Sequence, residues 1–249
     1  MNVVIIPARW GSTRFPGKPL HVIAGKPLLQ RVWERCCRAN KIDSTIIATD
    51  DMRIAEAAFD WGAEVALTSS KHQSGTDRIA EVVSRAREFS LIVNVQGDEP
   101  LIDPRLLDRL VSTLQQNRHM EMITAAHPFQ NAAEAESAHQ VKVVTDLSGE
   151  ALYFSRSLIP YPRDRKWLRR ALRHQGVYGF RRQTLLRLVR RKPTPLEQAE
   201  SLEQLRALEN GVRVHVLVTK QGSPGVDTPE DAAALEQIIA RAESRGLPQ

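Results

Sequence analysis

Short apolar runs alternate with amphipathic segments along the first half of the chain, and this alternation constrains the fold more than any other sequence feature. The runs predict strands and the amphipathic segments predict helices. Strands are expected at Val3–Ile6, Ser44–Thr49, Glu64–Leu67 and Leu91–Val95, and helices at 28–39, 50–61, 77–88 and 103–117. Short joints between such elements predict an α/β fold with a mainly parallel sheet covered by helices on both faces. Because ligands bind beyond the carboxyl ends of the strands in such sheets, chemistry is expected after Ile6, Leu67 and Val95.

The order of elements changes after residue 120. Further strands are expected at Met122–His127, Val141–Thr145, Ala151–Phe154, Val177–Phe180 and Val214–Val218, and helices at 185–191, 195–210 and 228–245. An apolar series predicts one buried face for the 195–210 helix, and its members are Leu196, Ala199, Leu202, Leu205 and Leu208. The polar segment Arg156–Arg173 leaves the pattern. The chain is therefore expected to form a single domain, residues 1–249, with an extension at about 156–173.

The composition excludes several classes of protein. Hydrophobic residues make up 42% and charged residues 26%, as in ordinary globular proteins, and no stretch is long and apolar enough to span a bilayer. The N-terminal apolar run is short and lacks a basic region before it, so it predicts a strand of a cytoplasmic protein rather than a signal peptide. Cys36 and Cys37 are adjacent, which excludes the spaced cysteines of a disulfide-rich or zinc-binding fold.

The formal net charge of +6 favours an anionic partner, either nucleic acid or a small phosphate compound. Much of this charge lies between Arg163 and Lys192. Aromatic residues make up 5% of the chain, which is few for a surface that stacks bases. A solvated face with a few binding arginines is therefore the favoured interpretation of this stretch.

The loop after the first strand combines cations with glycines. Residues 7–20 read Pro-Ala-Arg-Trp-Gly-Ser-Thr-Arg-Phe-Pro-Gly-Lys-Pro-Leu. Glycines let backbone amides approach phosphate oxygens, and Arg9, Arg14 and Lys18 supply positive charge. Pro19 follows Lys18, so this is not the P-loop, in which Ser or Thr follows the lysine. A solvated basic loop has the same composition, but the position at the end of a strand favours phosphate binding.

Two further loops precede predicted helices. In the segment 72–78, Ser74 and Gly75 fit either a helix N-terminus directed at a nucleotide or an ordinary capped helix. The segment 94–100, Asn-Val-Gln-Gly-Asp-Glu-Pro, carries an apolar strand directly into two carboxylates.

Asp227 also stands just before a helix, because Thr-Pro after it forms a helix start. If Asp98 and Asp227 meet, they suit Mg²⁺, which uses few protein carboxylates and several phosphate oxygens. Otherwise each is an ordinary acidic turn.

Four segments, in order, resemble the 3-deoxy-manno-octulosonate cytidylyltransferase family, the CMP-Kdo synthetases. They read Pro-Ala-Arg-x-x-Ser-Thr-Arg-x-Pro-Gly-Lys-Pro-Leu, His-x-Ser-Gly-Thr-Asp-Arg, Val-Asn-Val-Gln-Gly-Asp-Glu-Pro and Gly-Val-Asp-Thr-Pro-Glu-Asp. Between the last two lie the further matches 141–144, 151–156, 174–180 and 202–206, so the resemblance covers nearly the whole chain. The first loop is shared more loosely with sialic acid cytidylyltransferases and sugar-1-phosphate nucleotidyltransferases, whereas Gln-Gly-Asp-Glu-Pro and Tyr-Phe-Ser-Arg are more specific. The segment Tyr161–Arg173 is shorter than in many members.

The resemblance implies a Rossmann-like nucleotide-diphospho-sugar transferase fold and a homodimer that pairs through the extension. The nucleotide-binding residues it implies are Ala8, Arg9, Arg14, Lys18, Ser74, Gly75, Arg78 and Gln96. The residues it implies around the sugar are Gln96, Arg156, His174, Tyr178, Glu203 and Gln204. Asp98 and Asp227 are the implied Mg²⁺ ligands, and Arg14, Lys18 and Asp98 the implied catalytic residues.

The implied reaction is CTP + Kdo → CMP-Kdo + pyrophosphate, which activates Kdo for lipopolysaccharide synthesis. The anomeric C2 hydroxyl attacks the α-phosphate in line, and the protein positions the reactants and neutralises charge. Arg156 is expected to pair with the sugar carboxylate, with His174 as the alternative.

Other interpretations stay open at this stage. The same class includes cytidylyltransferases for 8-amino-Kdo or a sialic acid, and a basic nucleic-acid-binding protein is a remote alternative. Ordinary packing also accounts for His174 and Tyr178, and Glu203 and Arg206 have the spacing of a helix salt bridge.

Overall fold

The computed structural model describes residues 1–11 and 15–244, and the chain divides into two compact units. The first unit contains residues 1–89, 94–108 and the chain from 223 onward, and the second contains residues 90–93 and 109–222. Each unit therefore combines segments that are far apart in the sequence. That the whole chain acts as one domain stays a prediction.

Strands and helices alternate through the first unit, as the sequence predicts. Its elements are β1 (Asn2–Ala8), a 3-10 turn (Lys18–Leu20), β2 (Val22–Ile23), β3 (Lys26–Pro27), α1 (Leu28–Cys36), β4 (Ser44–Thr49), α2 (Met52–Asp60), β5 (Glu64–Leu67), α3 (Gly75–Arg85) and α9 (Pro229–Ser244). β1 pairs with β4 and β4 with β5, both in parallel. The four residues Val3–Ile6 are fully buried, as expected for a parallel strand covered on both faces.

Helix capping in the first unit follows the local sequence. Asp51 caps α2 by accepting a hydrogen bond of 3.0 Å from Arg53 N. Ser74 caps α3 by accepting one of 3.2 Å from Asp77 N, so this helix begins at Gly75, two residues before the predicted start.

An apolar cluster fastens α9 to the beginning of the chain. Its buried members are Phe15, Ile23, Leu28, Val226, Ala232, Leu235 and Ile239. Glu236 also accepts a hydrogen bond of 2.8 Å from Ala24 N in the β2–β3 turn. Through these contacts, the segment before α9 is held beside the loop that follows β1.

The second unit contains a mixed sheet, in line with the change of pattern after residue 120. Its elements are β6 (Leu91–Asn94), α4 (Pro104–Gln116, which begins in the first unit), β7 (Met122–Pro128), α5 (Ala132–Glu136), β8 (Lys142–Thr145), β9 (Ala151–Ser155), a 3-10 helix (Arg165–Arg170), β10 (Leu172–Arg181), α6 (Arg182–Leu188), α7 (Pro195–Glu200), α8 (Gln204–Glu209) and β11 (Val214–Val218). The order is β11-β7-β10-β6, and β8 pairs with both β10 and β9. β11 runs parallel to β7, whereas β10 runs antiparallel to it.

β10 is much longer than the predicted strand Val177–Phe180. It begins at Leu172, so the strand takes in the last two residues of the segment 156–173 and also His174. The residues of β10 that directly follow Leu172 are polar, and they belong to the sheet because this part of the strand pairs with both β7 and β8. The pairing with β7 shifts register between Gln175 and Tyr178. The rest of the extension is anchored by Leu168 and Ala171 in a small apolar cluster.

The single helix predicted for 195–210 is wrong. Ser201 takes a left-handed conformation, with φ at 52°, and separates α7 from α8. The predicted apolar face is broken too, because Leu196 and Ala199 are exposed whereas Glu197 is buried. Glu197 accepts two hydrogen bonds from Arg206, at 2.8 and 2.5 Å, and this ion pair holds the two short helices together.

Within residues 1–11 and 15–244, no helix is long and apolar enough to cross a membrane.

Candidate active site

The loops that follow β1, β5 and β6 meet in the first unit, as the parallel-sheet pattern predicts. Gly75 packs so closely on the end of β1 that a β-carbon there would lie 3.1 Å from Pro7 Cγ and 3.9 Å from Gln96 Oε1. Val95 N donates a hydrogen bond of 3.3 Å to Ile5 O, which holds the beginning of the acidic loop against β1. The helix N-terminus, the first loop and the acidic loop thus share one region.

Lys18 lies where two carboxylates converge. Its Nζ is 2.8 Å from Asp98 Oδ2, 3.4 Å from Asp227 Oδ1 and 2.9 Å from Val226 O. The lysine side chain is 15% exposed, against 32% for Asp98 and 57% for Asp227. The arrangement is a cation surrounded by three oxygen atoms, two of them anionic.

A backbone hydrogen bond brings the two aspartates together. Val226 N donates to Asp98 O over 2.9 Å, and a β-carbon at Gly225 would lie 3.6 Å from the same oxygen. Asp231 then caps the start of α9 by accepting from Asp227 N and Thr228 N, each at 2.9 Å. The pairing of Asp98 with Asp227, which the sequence could only pose as a condition, is present in the structure.

These residues fit a magnesium ion. The lysine ammonium acts as a stand-in cation, and it shows that carboxylate and carbonyl oxygens can surround one positive charge at this point. Mg²⁺ needs only one or two protein carboxylates when phosphate oxygens and water complete its octahedron. Within the described part of the chain, no group of three or more His, Cys, Asp or Glu side chains is placed to hold a metal. The arrangement therefore suits a metal shared with a phosphate ligand rather than one enclosed by protein.

The other predicted nucleotide residues divide into exposed and buried ones. Ala8 is buried at the end of β1, and Arg9 follows it with an exposed side chain. Ser74 is part of the α3 cap, and its hydroxyl also donates to Asp77 over 3.0 Å. Arg14 lies outside the described residues. All of these nucleotide assignments stay predictions.

Arg78 has an internal role that the sequence did not reveal. It is 4% exposed, its Nη2 lies 3.0 Å from Asp50 Oδ1, and its Nη1 donates to Thr68 Oγ1 over 2.5 Å. Because Asp50 follows β4 and Thr68 follows β5, the guanidinium ties the ends of these strands to α3. The predicted contact with cytidine is therefore at most one of two roles for this arginine.

The predicted sugar residues lie in the second unit. Arg156 is held at the junction of α7 and α8: its backbone N donates to Glu200 Oε2 over 2.9 Å, and its Nε to Glu200 O over 2.8 Å. Weaker contacts of 3.4 and 3.5 Å direct its terminal nitrogens at Ala138 O and Ser201 O. The junction that positions Arg156 is the one that leads directly into Glu203 and Gln204.

His174 is a neutral histidine in an aromatic setting. Its ring contacts Phe154 edge-on at 5.0 Å and Tyr178 at 5.4 Å between centroids. Burial lowers the pKa of His174 to about 3. Thr124 Oγ1 donates its one proton to Val177 O over 2.7 Å, so we assign the 3.0 Å contact between His174 and Thr124 as donation from Nε2–H. This tautomer leaves Nδ1 as a hydrogen-bond acceptor.

Tyr178 shares this environment. Burial, with a smaller effect of the Glu203 charge, raises the pKa of Tyr178 above its usual range, so the phenol keeps its proton. Glu203 is exposed and Gln204 is buried at the start of α8. Arg206 donates two hydrogen bonds to Glu197, at 2.8 and 2.5 Å. The ring contact thus links His174 to Tyr178, while the sugar roles of these residues stay predictions.

Two charged residues that were not predicted from the sequence hold the backbone of Arg156 in place. Lys142 is fully buried, and its Nζ donates to Ser137 O, Gln140 O and Arg156 O over 2.7, 2.8 and 2.6 Å. Burial lowers the pKa of Lys142. Glu200 also accepts a hydrogen bond of 2.6 Å from Ser155 Oγ, in addition to the one from Arg156 N. The signal for Lys142 was available, since it is a lone cation within an apolar strand sequence.

The basic stretch Arg163–Lys192 is not one continuous cationic surface. It passes through a 3-10 helix, β10 and α6, and Val177 within it is fully buried. Arg181 donates to the backbone carbonyls of Met120 and Leu114 over 2.8 and 2.7 Å. This distribution gives the nucleic-acid alternative no support.

The fold and the loop cluster define a nucleotidyltransferase, and the comparisons with known proteins agree. The family model described as cytidylyltransferase matches residues 3–214. The 3-deoxy-manno-octulosonate cytidylyltransferase of Geobacter sulfurreducens is 48% identical over 97% of this chain and 99% of its own length. The enzyme of the same name from Pseudomonas syringae pv. syringae is 46% identical over 95% and 97% of the two chains.

A solved structure agrees as well. The structure of a CMP:2-keto-3-deoxy-manno-octonic acid synthetase complexed with CTP is 40% identical, has a TM-score of 0.92, and covers 96% of this chain and 98% of its own. The chain belongs to the cytidylyltransferase family, and within it to the 3-deoxy-manno-octulosonate cytidylyltransferases. The predicted fold class is confirmed by this match.

Proposed function

We propose that this chain transfers CMP from CTP to the anomeric hydroxyl of 3-deoxy-D-manno-octulosonate (Kdo) and releases pyrophosphate. The names of relatives at 46–48% identity support the sugar and the nucleotide. The structural observation that carries the proposal is the convergence of Asp98 and Asp227 on the Lys18 ammonium, directly before the start of α9. That arrangement provides what phosphoryl transfer needs, which is positioned charge rather than covalent chemistry.

The first unit binds the nucleotide in this proposal. Ala8, Ser74 and Gly75 lie against or beside the end of β1, and the amides that begin α3 can donate to the base or to an anion. Lys18 and the exposed Arg9 supply charge to the triphosphate, together with the Arg14 expected from the sequence. Gln96, 3.9 Å from a β-carbon built at Gly75, lies at the same place.

We propose Mg²⁺ as the cofactor, held by Asp98 and Asp227. When bound, it would neutralise charge that develops on the α-phosphate and lower the pKa of the attacking hydroxyl. The protein contributes two fixed carboxylates whose loops are joined by the Val226–Asp98 hydrogen bond. The in-line attack then depends on how firmly the sugar is held.

The second unit binds the acidic sugar in this proposal. The protonation state of His174 decides which residue binds the sugar carboxylate and which binds a sugar hydroxyl. With its pKa lowered to about 3, the imidazole is neutral at pH 7 and presents Nδ1 as an acceptor. It therefore suits a sugar hydroxyl and not a carboxylate. Arg156, always cationic, is the better partner for the carboxylate. Tyr178, Glu203 and Gln204 complete the set of groups for the remaining hydroxyls.

We further propose a homodimer in the cytoplasm that serves lipopolysaccharide synthesis. An apolar pocket of about 630 Å³ lies in the extension, lined in part by Leu158, Pro160 and the 87%-exposed Tyr161, and a second copy of the chain is the expected occupant. Two free cysteines, Cys36 and Cys37, accord with a reducing compartment. Sedimentation velocity at micromolar concentration tests the dimer, and a particle of only 28 kDa would contradict it.

A pyrophosphate-release assay over a panel of substrates tests the activity. CTP is compared with UTP, ATP and GTP, and Kdo with 8-amino-Kdo and N-acetylneuraminate. We expect release only with CTP, and the highest kcat/KM with Kdo. Release with a sialic acid but not with Kdo would contradict the assigned sugar, and binding to RNA without any pyrophosphate release would contradict the enzyme class.

A further inference from the structure

We propose that the Lys18 ammonium and the divalent cation compete for the same carboxylates, so that Lys18 is an internal counter-ion which must leave before the metal binds. This inference rests on the proposed function, because it takes Asp98 and Asp227 as the metal ligands. It adds a step that the assignment of ligands does not contain: an exchange of one cation for another.

The hydrogen bonds of Lys18 show why it cannot keep its three protein acceptors and bind a phosphate oxygen at the same time. An ammonium group has three N–H donors. Asp98 Oδ2, Val226 O and Asp227 Oδ1 are three acceptors within 3.4 Å of Nζ. All three donors are thus used, and a phosphate oxygen can be bound only if a carboxylate or the carbonyl is released.

The size of the metal leads to the same conclusion. Mg²⁺ binds oxygen at 2.0–2.1 Å, about 0.7 Å closer than Nζ lies to Asp98 Oδ2. A metal bound to both carboxylates would occupy the space between them that Nζ now fills. Two positive charges at that separation repel each other strongly in a partly buried site, so the ammonium must move away.

The exchange couples the nucleotide to the metal. The triphosphate offers Lys18 new anionic partners, and Asp98 and Asp227 are then released for the divalent cation. Such coupling is reciprocal, because whatever strengthens metal binding in the presence of nucleotide must strengthen nucleotide binding in the presence of metal by the same factor. Lys18 therefore restrains metal binding to the free enzyme and favours binding of metal and nucleotide together.

The test measures binding of Mn²⁺ alone, which shares the preference of Mg²⁺ for oxygen ligands and is followed by the EPR signal of the free ion. Lys18→Met removes the charge, and Lys18→Gln removes it while keeping a donor for Val226 O. Lys26→Met is the matched control, since Lys26 forms a 2.8 Å ion pair with Glu34 away from the site. Asp98→Asn identifies the site, and circular dichroism verifies the fold of each variant.

We expect both Lys18 variants to bind Mn²⁺ more tightly than the wild type, by between about 5-fold and about 150-fold, the range of typical coupling energies. Lys26→Met should bind like the wild type, and Asp98→Asn in the Lys18→Met background should lose the gain. Unchanged affinity in both Lys18 variants, with binding still lost in Asp98→Asn, would overturn the exchange and leave the metal site intact. Binding that is insensitive to Asp98→Asn in every background would overturn the metal site and the exchange with it.

Discussion

Val226 N donates a hydrogen bond to Asp98 O over 2.9 Å, and this one contact joins the loop after β6 to the start of α9. It places Asp227, the next residue, beside Asp98. A backbone bond is indifferent to side-chain identity, so substitutions of the two carboxylates should leave the junction of the loops in place.

Asp98→Asn and Asp227→Asn should each reduce kcat by about 10²- to 10³-fold, because each removes one positioned charge from the transition state. Stability should change by no more than about 1 kcal/mol, since the ion pairs with Lys18 are partly exposed. The measurements are pyrophosphate release with varied Mg²⁺, with and without EDTA, and urea unfolding. The double variant should be little slower than the slower single variant, because the pair acts as a unit. A folded Asn variant with full activity at limiting Mg²⁺ would disprove the assignment.

Arg156→Lys should raise the KM for Kdo at least about tenfold while the KM for CTP stays unchanged, since a lysine cannot bind a carboxylate in the bidentate manner of arginine. The backbone contact of residue 156 with Glu200 is retained in this variant, so the fold should be preserved. Steady-state kinetics with each substrate varied in turn make the measurement. An equal rise of both KM values would show that Arg156 does not act on the sugar selectively.

Lys142→Met should lower the free energy of unfolding by at least about 2 kcal/mol, because the three carbonyl groups bound by this buried lysine lose their donor. One of them is Arg156 O, so the KM for Kdo should rise as well. The midpoint of urea unfolding, at an unchanged m-value, reports the stability change. The exposed Lys26→Met serves as the comparison and should cost no more than about 1 kcal/mol. A stability loss no larger than that of the comparison would contradict the role given to Lys142.

His174 should make stability depend on pH below neutrality. Burial depresses the pKa of this histidine to about 3 in the folded protein, whereas an unfolded histidine titrates near 6.5. Between these two values the unfolded chain binds the extra proton, so stability should fall as the pH decreases from about 6.5 toward 3, with a slope of at most about 1.4 kcal/mol per pH unit.

The contribution of His174 is isolated by comparison with His174→Gln, which has no titrating ring. Urea unfolding of both proteins between pH 4 and 7 should show a difference in stability that narrows or reverses as the pH falls. Parallel pH profiles for the two proteins would show that His174 has the same pKa in the folded protein as in the unfolded chain, which would contradict its burial as a neutral ring.

Several elements could be read from local sequence alone. The bounds of β4, β5 and β11 match the predicted Ser44–Thr49, Glu64–Leu67 and Val214–Val218, because apolar residues there are bounded on both sides by polar or turn-forming ones. The Ser74 cap could be predicted from the local sequence as well, because a capping side chain binds an amide only two or three residues away.

The bounds of other elements were predicted wrongly, because they depend on contacts with distant parts of the chain. A periodic apolar series looks the same in one long helix and in two short ones, and it is Ser201, in a left-handed conformation, that separates α7 from α8. The early part of β10 has no strand-like alternation, and it is a strand because β7 and β8 supply partners.

The sequence by itself determined the chemistry of this protein: which cations, carboxylates and glycines stand at the ends of the parallel strands, and which family they resemble. Only the tertiary structure decided that Asp98 and Asp227 meet, that both meet at Lys18, and that His174 is neutral. The reason is physical. Residue type and spacing set what a group can do, whereas its charge state and its partners depend on burial and distance, which arise only when segments far apart in the chain pack together.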